Sequence, residues 1–198
     1  MGEVHLVRDP DMNRLIAIKI LHRHLLDDRI ALSRFIEEGQ ITAQLGHPNI
    51  IPVYELGQLP DGRPYFTMEV IHGRTFQKII QEVHNYSANG RWRETPDGWT
   101  LQRMIDVFSL ACDAIGYAHS RGVIHRDVKP SNVMIGAHGE SLVVDWGISK
   151  ALHRPDVVDP LLTQRMEEDL TLTEVGSVEG TPAYMSPEQA NGGFDQMD

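Results

Sequence analysis

The chain has 198 residues, of which 18 are Lys or Arg and 28 are Asp or Glu, so its formal net charge is −10. This acidic balance, with basic residues scattered singly along the sequence, argues against a nucleic-acid-binding protein. A composition of 41% hydrophobic and 23% charged residues is typical of a globular domain and excludes a wholly disordered, collagen-like or coiled-coil chain.

Four strand patterns and one helix pattern occupy the first part of the chain. Apolar runs bounded by turn residues predict strands at residues 4–7, 16–21, 51–56 and 65–70. Between the second and third strands, apolar residues recur at helical spacing until Gly46 and Pro48 end the run, which predicts a helix. Its apolar positions are Leu32, Phe35, Ile36, Ile41 and Leu45.

The clearest helix pattern begins at Leu101 and ends before Gly122. Apolar residues recur there on one helical face, which we expect to be buried against the second half of the core. The predicted face comprises Leu101, Met104, Ile105, Phe108, Ala111, Cys112, Ile115 and Ala118.

Two segments are predicted to be loops. Residues 84–100 contain Trp92 and Trp99 among turn-forming residues, which predicts an ordered excursion held in place by the two indole rings. Residues 151–180 contain seven acidic and two basic residues, and a stretch this acidic is expected to be mobile.

The single cysteine, Cys112, excludes an internal disulfide framework and a zinc site built on several thiolates. Because it lies on the apolar face of the predicted helix, we expect an inert core thiol. No apolar run approaches the roughly 20 residues of a membrane-spanning helix, and the first residues lack the order of a secretory signal peptide. These observations favour a cytoplasmic protein, although a longer gene product could carry an anchor outside this segment.

The strongest chemical signal is the run His125-Arg126-Asp127-Val128-Lys129-Pro130-Ser131-Asn132. Asp127 supplies a carboxylate that can accept a hydroxyl proton, and Asn132 supplies an amide oxygen that can hold a metal ion. A loop of this length brings both groups to one phosphate. The run matches the protein-kinase catalytic loop, in which H-R-D is followed by an Asn.

A second carboxylate, that of Asp145, stands at the end of an apolar strand pattern and before Trp146-Gly147. Mg²⁺ is a hard ion that takes oxygen ligands, so a carboxylate in this place suits it. The run resembles the kinase D-F-G element with Trp146 in place of Phe. We expect the indole to occupy the same apolar site.

Three further runs carry the resemblance. Ile16-Ala17-Ile18-Lys19 resembles the V-A-I-K strand, and residues 35–40 resemble the bacterial pattern F-x-x-E-A-Q, which places the glutamate partner of Lys19 at Glu38, with Glu37 as the alternative. Residues 65–73 resemble the gatekeeper and hinge. Residues 180–190 resemble the end of an activation segment, with S-P-E where many kinases have A-P-E.

Together these motifs identify the chain as resembling a bacterial eukaryotic-like (Hanks-type) Ser/Thr protein kinase. The resemblance implies an α+β, two-lobed protein-kinase-like fold, with the N-lobe and hinge at residues 1–71 and a C-lobe portion at 72–198 that includes the activation segment 145–188. It implies ATP with Mg²⁺, or Mn²⁺ in its place, and protein substrates that bear Ser or Thr.

The resemblance also implies a role for each matched residue. Asp127 would orient the hydroxyl and accept its proton, while Lys129 would neutralise charge on the γ-phosphate. Asn132 and Asp145 would hold the metal ion. Nucleotide contacts are expected at Gly2, Val4, Ala17, Lys19, Glu38, Met68, Glu69 and Ile71.

Regulation is expected in the activation segment. Arg126, beside Asp127, would meet a phosphate on a hydroxyl of that segment, because phosphate pairs well with arginine. The candidate acceptors are Thr171, Thr173 and Ser177. Thr181 is expected to remain an unmodified structural hydroxyl near Asp127.

The chain also departs from the family pattern at both ends. Its opening, Met1-Gly2-Glu3-Val4, resembles the tail of the glycine-rich loop, and the chain stops shortly after S-P-E. We therefore expect a fragment of a longer gene product or a start codon assigned to an internal methionine.

Two other functions stay open at this point. One is a catalytically silent pseudokinase or fragment that acts through protein interaction. The other is a small-molecule phosphotransferase of the aminoglycoside-kinase type, against which the activation segment argues.

Overall fold

Antiparallel strands dominate the first part of the chain, as the strand patterns predict. The computed structural model describes residues 1–87, 91–151, 161, 163 and 180–191. The first four strands are β1 (Gly2–Asp9), β2 (Arg14–Leu21), β3 (Val53–Gln58) and β4 (Pro64–Met68). They form one antiparallel sheet in the order β1-β2-β4-β3. All four strand predictions are confirmed, and the ends differ because ladder pairing, rather than the apolar run, sets where a strand stops.

The predicted first helix is confirmed as α1 (Arg29–Gln44). The Asp28 carboxylate caps it by accepting the N–H groups of Ile30 and Ala31, which satisfies two of the amide groups that a helix start leaves without partners. Helix α1 packs on the sheet through Phe35, whose ring lies 5.2 Å from that of Phe66. These two rings and Leu21 form a small core between helix and sheet.

The second part of the chain is mainly helical. It contains β5 (Gly73–Thr75), α2 (Phe76–Tyr86), α3 (Leu101–Ser120), β6 (Val123–Ile124), β7 (Val133–Gly136), β8 (Ser141–Val143), β9 (Lys150–Ala151) and α4 (Pro187–Ala190). Strands β5, β7 and β8 form a second antiparallel sheet, and β6 pairs with β9. A larger core joins α2, α3 and this sheet. The sheet-plus-helices architecture confirms the predicted α+β class.

The buried face of α3 agrees only in part with the predicted one, since Met104, Ala111 and Ala118 are buried as predicted. The buried residues are Met104, Val107, Ala111, Ala114 and Ala118. Ile105 and Phe108, predicted to be buried, are 49% and 62% exposed, and Cys112 is exposed as well, so the expectation of a core thiol is wrong. Two apolar stripes at helical spacing run along this helix. The stripe with three alanines is the buried one, since small side chains let the helix approach its neighbours closely.

The two tryptophans of the 84–100 segment have different environments. Trp99 is 4% exposed, and the Arg103 guanidinium lies 4.0 Å from its ring centre. Trp92 is 51% exposed beside His84, so the expectation that both indoles anchor the segment is correct for Trp99 only.

The mobility expected for residues 151–180 concerns positions that lie mostly outside the described residues. Within that span Leu161 belongs to the larger core, and Thr163 is 1% exposed. Among the described residues, no helix is long and apolar enough to cross a membrane.

Candidate active site

A cavity of about 830 Å³ lies between the first sheet and the helical region. Strands β1, β2 and β4 with helix α1 line one side, and residues of the catalytic-loop region line the other. The lining includes every position expected to contact a nucleotide: Gly2, Val4, Ala17, Lys19, Glu38, Met68, Glu69 and Ile71. Asp127 and Asp145 line the same cavity. The motifs that are separate in sequence therefore meet at one site.

The cavity face of β2 carries Lys19, which is paired with α1. Its Nζ lies 2.5 Å from Glu38 Oε1 and 3.5 Å from Asp145 Oδ1. Burial raises the pKa of Glu38, while the Lys19 ammonium opposes that rise. Glu37 is also buried, but the carboxylate that reaches Lys19 is that of Glu38.

A glycine allows this pairing. Gly39 stands next to Glu38, and a Cβ at its position would lie 3.2 Å from the Phe66 ring. The bare backbone lets α1 approach β4, and this approach brings Glu38 to the lysine on the neighbouring strand β2.

On the opposite side of the cavity, the Asp127 carboxylate is held by three side chains. Lys129 Nζ donates to Oδ2 at 2.6 Å and Thr181 Oγ1 donates to Oδ1 at 2.7 Å. Asn132 Nδ2 donates to the Asp127 carbonyl at 2.9 Å and to Oδ2 at 3.2 Å. Burial raises the pKa of Asp127, but the hydrogen bonds from Lys129, Thr181 and Asn132 outweigh it, so the net pKa lies below the usual value. The group is therefore ionised at neutral pH.

Lys129 also connects this carboxylate to the activation segment. Its Nζ donates to Thr181 Oγ1 at 2.8 Å, so Lys129, Thr181 and Asp127 form a closed set of contacts. Neither Lys129 nor Asn132 lines the cavity itself. Both act on the site through Asp127 in this arrangement.

His125 joins the catalytic loop to the strand that precedes Asp145. The Asp127 N–H donates to His125 Nδ1 at 3.3 Å, so Nε2 carries the proton and donates to the Val144 carbonyl at 3.2 Å. Burial lowers the pKa of His125, which keeps the ring neutral. Sequence reasoning gave this histidine no role, although it stands within the motif.

Trp146 occupies an apolar site as its aromatic character predicts. It is 1% exposed, belongs to the larger core, and its ring centre lies 4.5 Å from that of His125. Its indole Nε1 and Glu38 Oε2 are buried atoms without a hydrogen-bond partner among the described residues.

Two residues at this site have left-handed backbones. Arg126 has φ of 66° and Asp145 has φ of 63°. Residues other than glycine adopt this region uncommonly, and such strain is concentrated at functional sites. The Val144 N–H donates to the Asn132 carbonyl at 2.9 Å, so the loops that carry the two acids are bonded to each other directly.

The donor set fits a hard divalent cation. Asp145 lines the cavity with a side chain that is 53% exposed. The amide nitrogen of Asn132 is used by Asp127, which leaves its oxygen as the atom able to face a metal ion. Among the described residues, no group of three or more His, Cys, Asp or Glu could form a complete protein cage. Mg²⁺ is usually bound by one or two protein oxygens together with substrate phosphates, so the two fit it.

Sequence reasoning missed part of the cavity lining. Leu6, Met134 and Val144 all contribute to it. Met134 lies in strand β7 between the buried residues Val133 and Ile135, and the period-two alternation of a strand, which turns Met134 to the opposite side, is the signal that could have identified it. At the hinge, the Glu69 N–H donates to the Pro52 carbonyl at 3.1 Å. Of its two backbone groups, the carbonyl is therefore the one available to a ligand.

The structure describes only some of the predicted regulatory residues. Arg126 is buried at 8% exposure, and Thr181 contacts Asp127 as described above. Thr171, Thr173 and Ser177 lie outside the described residues.

Comparison with known proteins gives a consistent result. The protein kinase domain model matches residues 1–194. Serine/threonine-protein kinase PknD of Protochlamydia amoebophila is 40% identical over 196 residues, covering 97% of this chain and 20% of the relative. Serine/threonine-protein kinase PknB of Mycobacterium tuberculosis is 36% identical over 195 residues, covering 97% of this chain and 27% of the relative.

The chain thus spans 20–27% of the length of these curated relatives. Another relative, PknD of Chlamydia felis, is 32% identical over 197 residues. All three are named as kinases, which gives no support to the pseudokinase alternative.

Proposed function

The chain belongs to the protein kinase family, and from that premise we propose that its gene product transfers the γ-phosphoryl group of ATP to Ser or Thr hydroxyls of proteins. One observation carries the proposal. The ionised Asp127, held by Lys129, Thr181 and Asn132, lines the same cavity as the Lys19–Glu38 pair. A proton acceptor and a phosphate-binding cation thus face one ligand site.

The cavity suits a nucleotide. Val4, Ala17 and Met68 offer apolar surface for the adenine ring, and the backbone groups of Glu69 and Ile71 lie beside it. Gly2 packs closely against strand β2 at the edge of the cavity, because a Cβ there would lie 2.6 Å from the Ile20 carbonyl oxygen. We assign residues 1–71 to the N-lobe and hinge, which would bind ATP. Residues 72–198 belong to the C-lobe portion, which would supply Asp127 and the other catalytic groups.

Lys19 serves the phosphates. Its ammonium, fixed by Glu38, would hold the α- and β-phosphates, and Asn132 and Asp145 would hold Mg²⁺. The chemistry supplied by Mg²⁺, or Mn²⁺ in its place, would be positive charge that offsets the negative charge of the phosphates. Lys19 lies between Glu38 and Asp145. The position of its ammonium would therefore fix how far the phosphates lie from the Asp145 carboxylate.

Asp127 serves the acceptor. The substrate hydroxyl oxygen bonds to the γ-phosphorus, the bond from that phosphorus to the β,γ-bridging oxygen breaks, and ADP leaves. The hydroxyl proton passes to the Asp127 carboxylate, whose lowered pKa keeps it ionised and able to orient the hydroxyl. Lys129 lies 2.6 Å from that carboxylate and would neutralise charge on the transferred group. The Lys129–Thr181 contact resembles Ser/Thr rather than Tyr kinases, which favours the shorter acceptors.

Regulation would act through Arg126. Arg126 stands next to Asp127 in the catalytic loop. A phosphate on Thr171, Thr173 or Ser177 would pair with its guanidinium group. Mass spectrometry of the active gene product tests this. A phosphate found in the span 171–177, with Thr181 unmodified, supports the assignment, and phosphate found only outside residues 148–180 contradicts it.

The acceptor class is tested by direct assay. The full-length gene product is incubated with γ-labelled ATP and Mg²⁺ and offered a generic protein acceptor and, separately, an aminoglycoside. We expect label on Ser or Thr of the protein. Label on the aminoglycoside alone, or no Mg²⁺-dependent transfer, contradicts the proposal. A cytoplasmic location and the absence of nucleic-acid partners stay predictions.

A further inference from the structure

Gln189, in the short helix α4 at the end of the activation segment, contacts the catalytic loop. Its side chain is buried, with the residue 5% exposed, and its Nε2 donates to the Arg126 carbonyl at 2.7 Å. Ser186 caps the helix that carries it, and the Ser186 hydroxyl accepts the Gln189 N–H at 3.4 Å. A buried amide aimed at a backbone carbonyl 63 residues earlier in the chain is a tertiary contact.

The carbonyl that accepts this hydrogen bond belongs to the peptide unit in front of Asp127. The N–H of the same unit donates to His125 Nδ1 at 3.3 Å. Both ends of this peptide plane are therefore held by side chains, one by His125 and the other by Gln189. Because Arg126 has a left-handed backbone with φ of 66°, this plane needs outside contacts to stay in its orientation.

Gly180 completes the contact. Its φ is +128°, and a Cβ at this position would lie 2.5 Å from Gln189 Nε2 and 2.9 Å from the Arg126 carbonyl oxygen. No side chain other than hydrogen fits between the two. The next residue, Thr181, donates to Asp127 Oδ1, so two successive residues of the segment contact two successive residues of the loop.

We propose that Gln189 is a positioning residue for phosphoryl transfer: by holding the Arg126 carbonyl, it fixes the peptide plane that orients Asp127. The proposal rests on the proposed kinase function. Gln189 is not among the residues that line the cavity, and its hydrogen bond goes to a backbone carbonyl, so it would act on the rate of the chemical step through the backbone. It also links the segment 180–190 to the same peptide plane, and the geometry of the proton acceptor therefore depends on how that segment is placed.

The first test is an isosteric substitution in the full-length gene product. Gln189→Glu keeps the shape and removes the donor, leaving a carboxylate against a carbonyl. We expect kcat to fall by about tenfold, the effect of losing one buried hydrogen bond in the transition state, with KM for ATP unchanged. Gln77→Glu, at an exposed position of α2, makes the same charge change as a control. Gln189→Met, which also lacks a donor, covers the case in which the glutamate variant does not fold, as judged by thermal melting.

The second test separates positioning from simple support of α4. Single-turnover rates are measured for Gln189→Glu in the natural protein and in an Asp127→Asn background. A residue that acts through Asp127 loses its effect once the carboxylate is gone, whereas a purely structural residue lowers both rates by the same factor.

The outcomes are distinct. A tenfold loss that disappears in the Asp127→Asn background supports the proposal. A kcat for both Gln189 variants equal to that of Gln77→Glu, or an equal loss in both backgrounds, overturns it. Absence of transfer in the unsubstituted protein would instead contradict the kinase function itself.

Discussion

The two sides of the cavity hold their functional charges in different ways. On the sheet side, Lys19 is paired with Glu38 of helix α1, and that helix packs on the sheet through a core of three buried residues and joins the larger core through Ile41. On the helical side, the Asp127 carboxylate is held by Lys129, Thr181 and Asn132, and the preceding peptide plane is bonded at both ends. The Lys19 side of the cavity thus depends on how α1 is placed, and the Asp127 side is held by several connected contacts.

The two sides of the cavity also differ in the size of the hydrophobic core that supports them. The core under the catalytic loop joins helices α2 and α3 to β7 and β8 and includes Ile41 of α1, while the core between α1 and the first sheet consists of Leu21, Phe35 and Phe66 with partly buried neighbours. Burial of apolar area is the main source of stability. The sheet side is therefore the part whose geometry should respond most to small packing changes.

The largest effect is expected at Asp127. Asp127→Asn should lower phosphoryl transfer by about 10²- to 10⁴-fold, the range for a lost general base, because its role belongs to the transition state. Affinity for ATP should stay nearly the same. Steady-state kinetics with nucleotide titration measure both quantities. Asp113→Asn, an exposed acid on α3, is the matched control. Retained turnover in the Asp127 variant would contradict the assignment of Asp127 as the proton acceptor.

Next is the ion pair between Lys19 and Glu38. Lys19→Met should reduce transfer by about 10²-fold, since misplaced phosphates lose alignment, and Glu38→Gln should produce much of the same loss. The double variant should be little worse than Lys19→Met, because both changes break one pair. Lys78→Met, at an exposed site on α2, serves as control. An unaltered rate for Lys19→Met would mean that another lysine binds the phosphates.

Matched core substitutions compare the two sides directly. Phe66→Leu and Phe76→Leu each should cost about 1–2 kcal/mol in the free energy of unfolding, measured in urea. Only Phe66→Leu should also weaken ATP binding, because the Phe66 ring packs at Gly39 and lies 5.7 Å below the Lys19 ammonium. Equal ATP affinity in the two variants would show that the small core does not control the ion pair.

A pH effect is expected from His125. Burial lowers its pKa below the usual 6.5, so below that pH the unfolded chain binds a proton that the folded protein excludes. Stability from this group is present above pH 6.5 and is lost as the pH falls, with a slope of about 1.4 kcal/mol per pH unit. The slope should be absent in His125→Asn and kept in His138→Asn, which changes an exposed imidazole. Identical slopes in both variants would contradict the prediction.

The smallest effect on stability is expected at the exposed face of α3. Because Phe108 is 62% exposed, Phe108→Lys should change the free energy of unfolding by only about 0.5 kcal/mol and should raise solubility. Met104→Lys, on the buried face, should prevent folding. Sedimentation and thermal melting compare the two. A large loss of stability from Phe108→Lys would mean that this side chain is buried after all.

Much of the site could be predicted from the sequence because its chemistry is local. The run from His125 to Asn132 places a carboxylate and an amide within one short loop, and the structure shows these two side chains in contact at 3.2 Å. The strands that carry Lys19 and precede Asp145 follow from apolar runs bounded by turns. In each case, residues close in sequence determine the local conformation, and the pattern contains what is needed to identify it.

Tertiary structure decided what those patterns leave open. Helical spacing alone fits both apolar stripes of α3, and packing buried the one with Ala111 and Ala114 while leaving Phe108 exposed. Two adjacent glutamates stood on α1, and the approach allowed by Gly39 selected the one that meets Lys19.

The contact between Gln189 and Arg126 has no signature in the sequence, because it joins a buried amide to a backbone carbonyl rather than to a recognisable side chain. The sequence by itself indicated which groups this protein brings to one cavity. The packing of distant segments decided which neighbours hold those groups in place, since burial depends on partners tens of residues away and periodicity reports only the nearest turns.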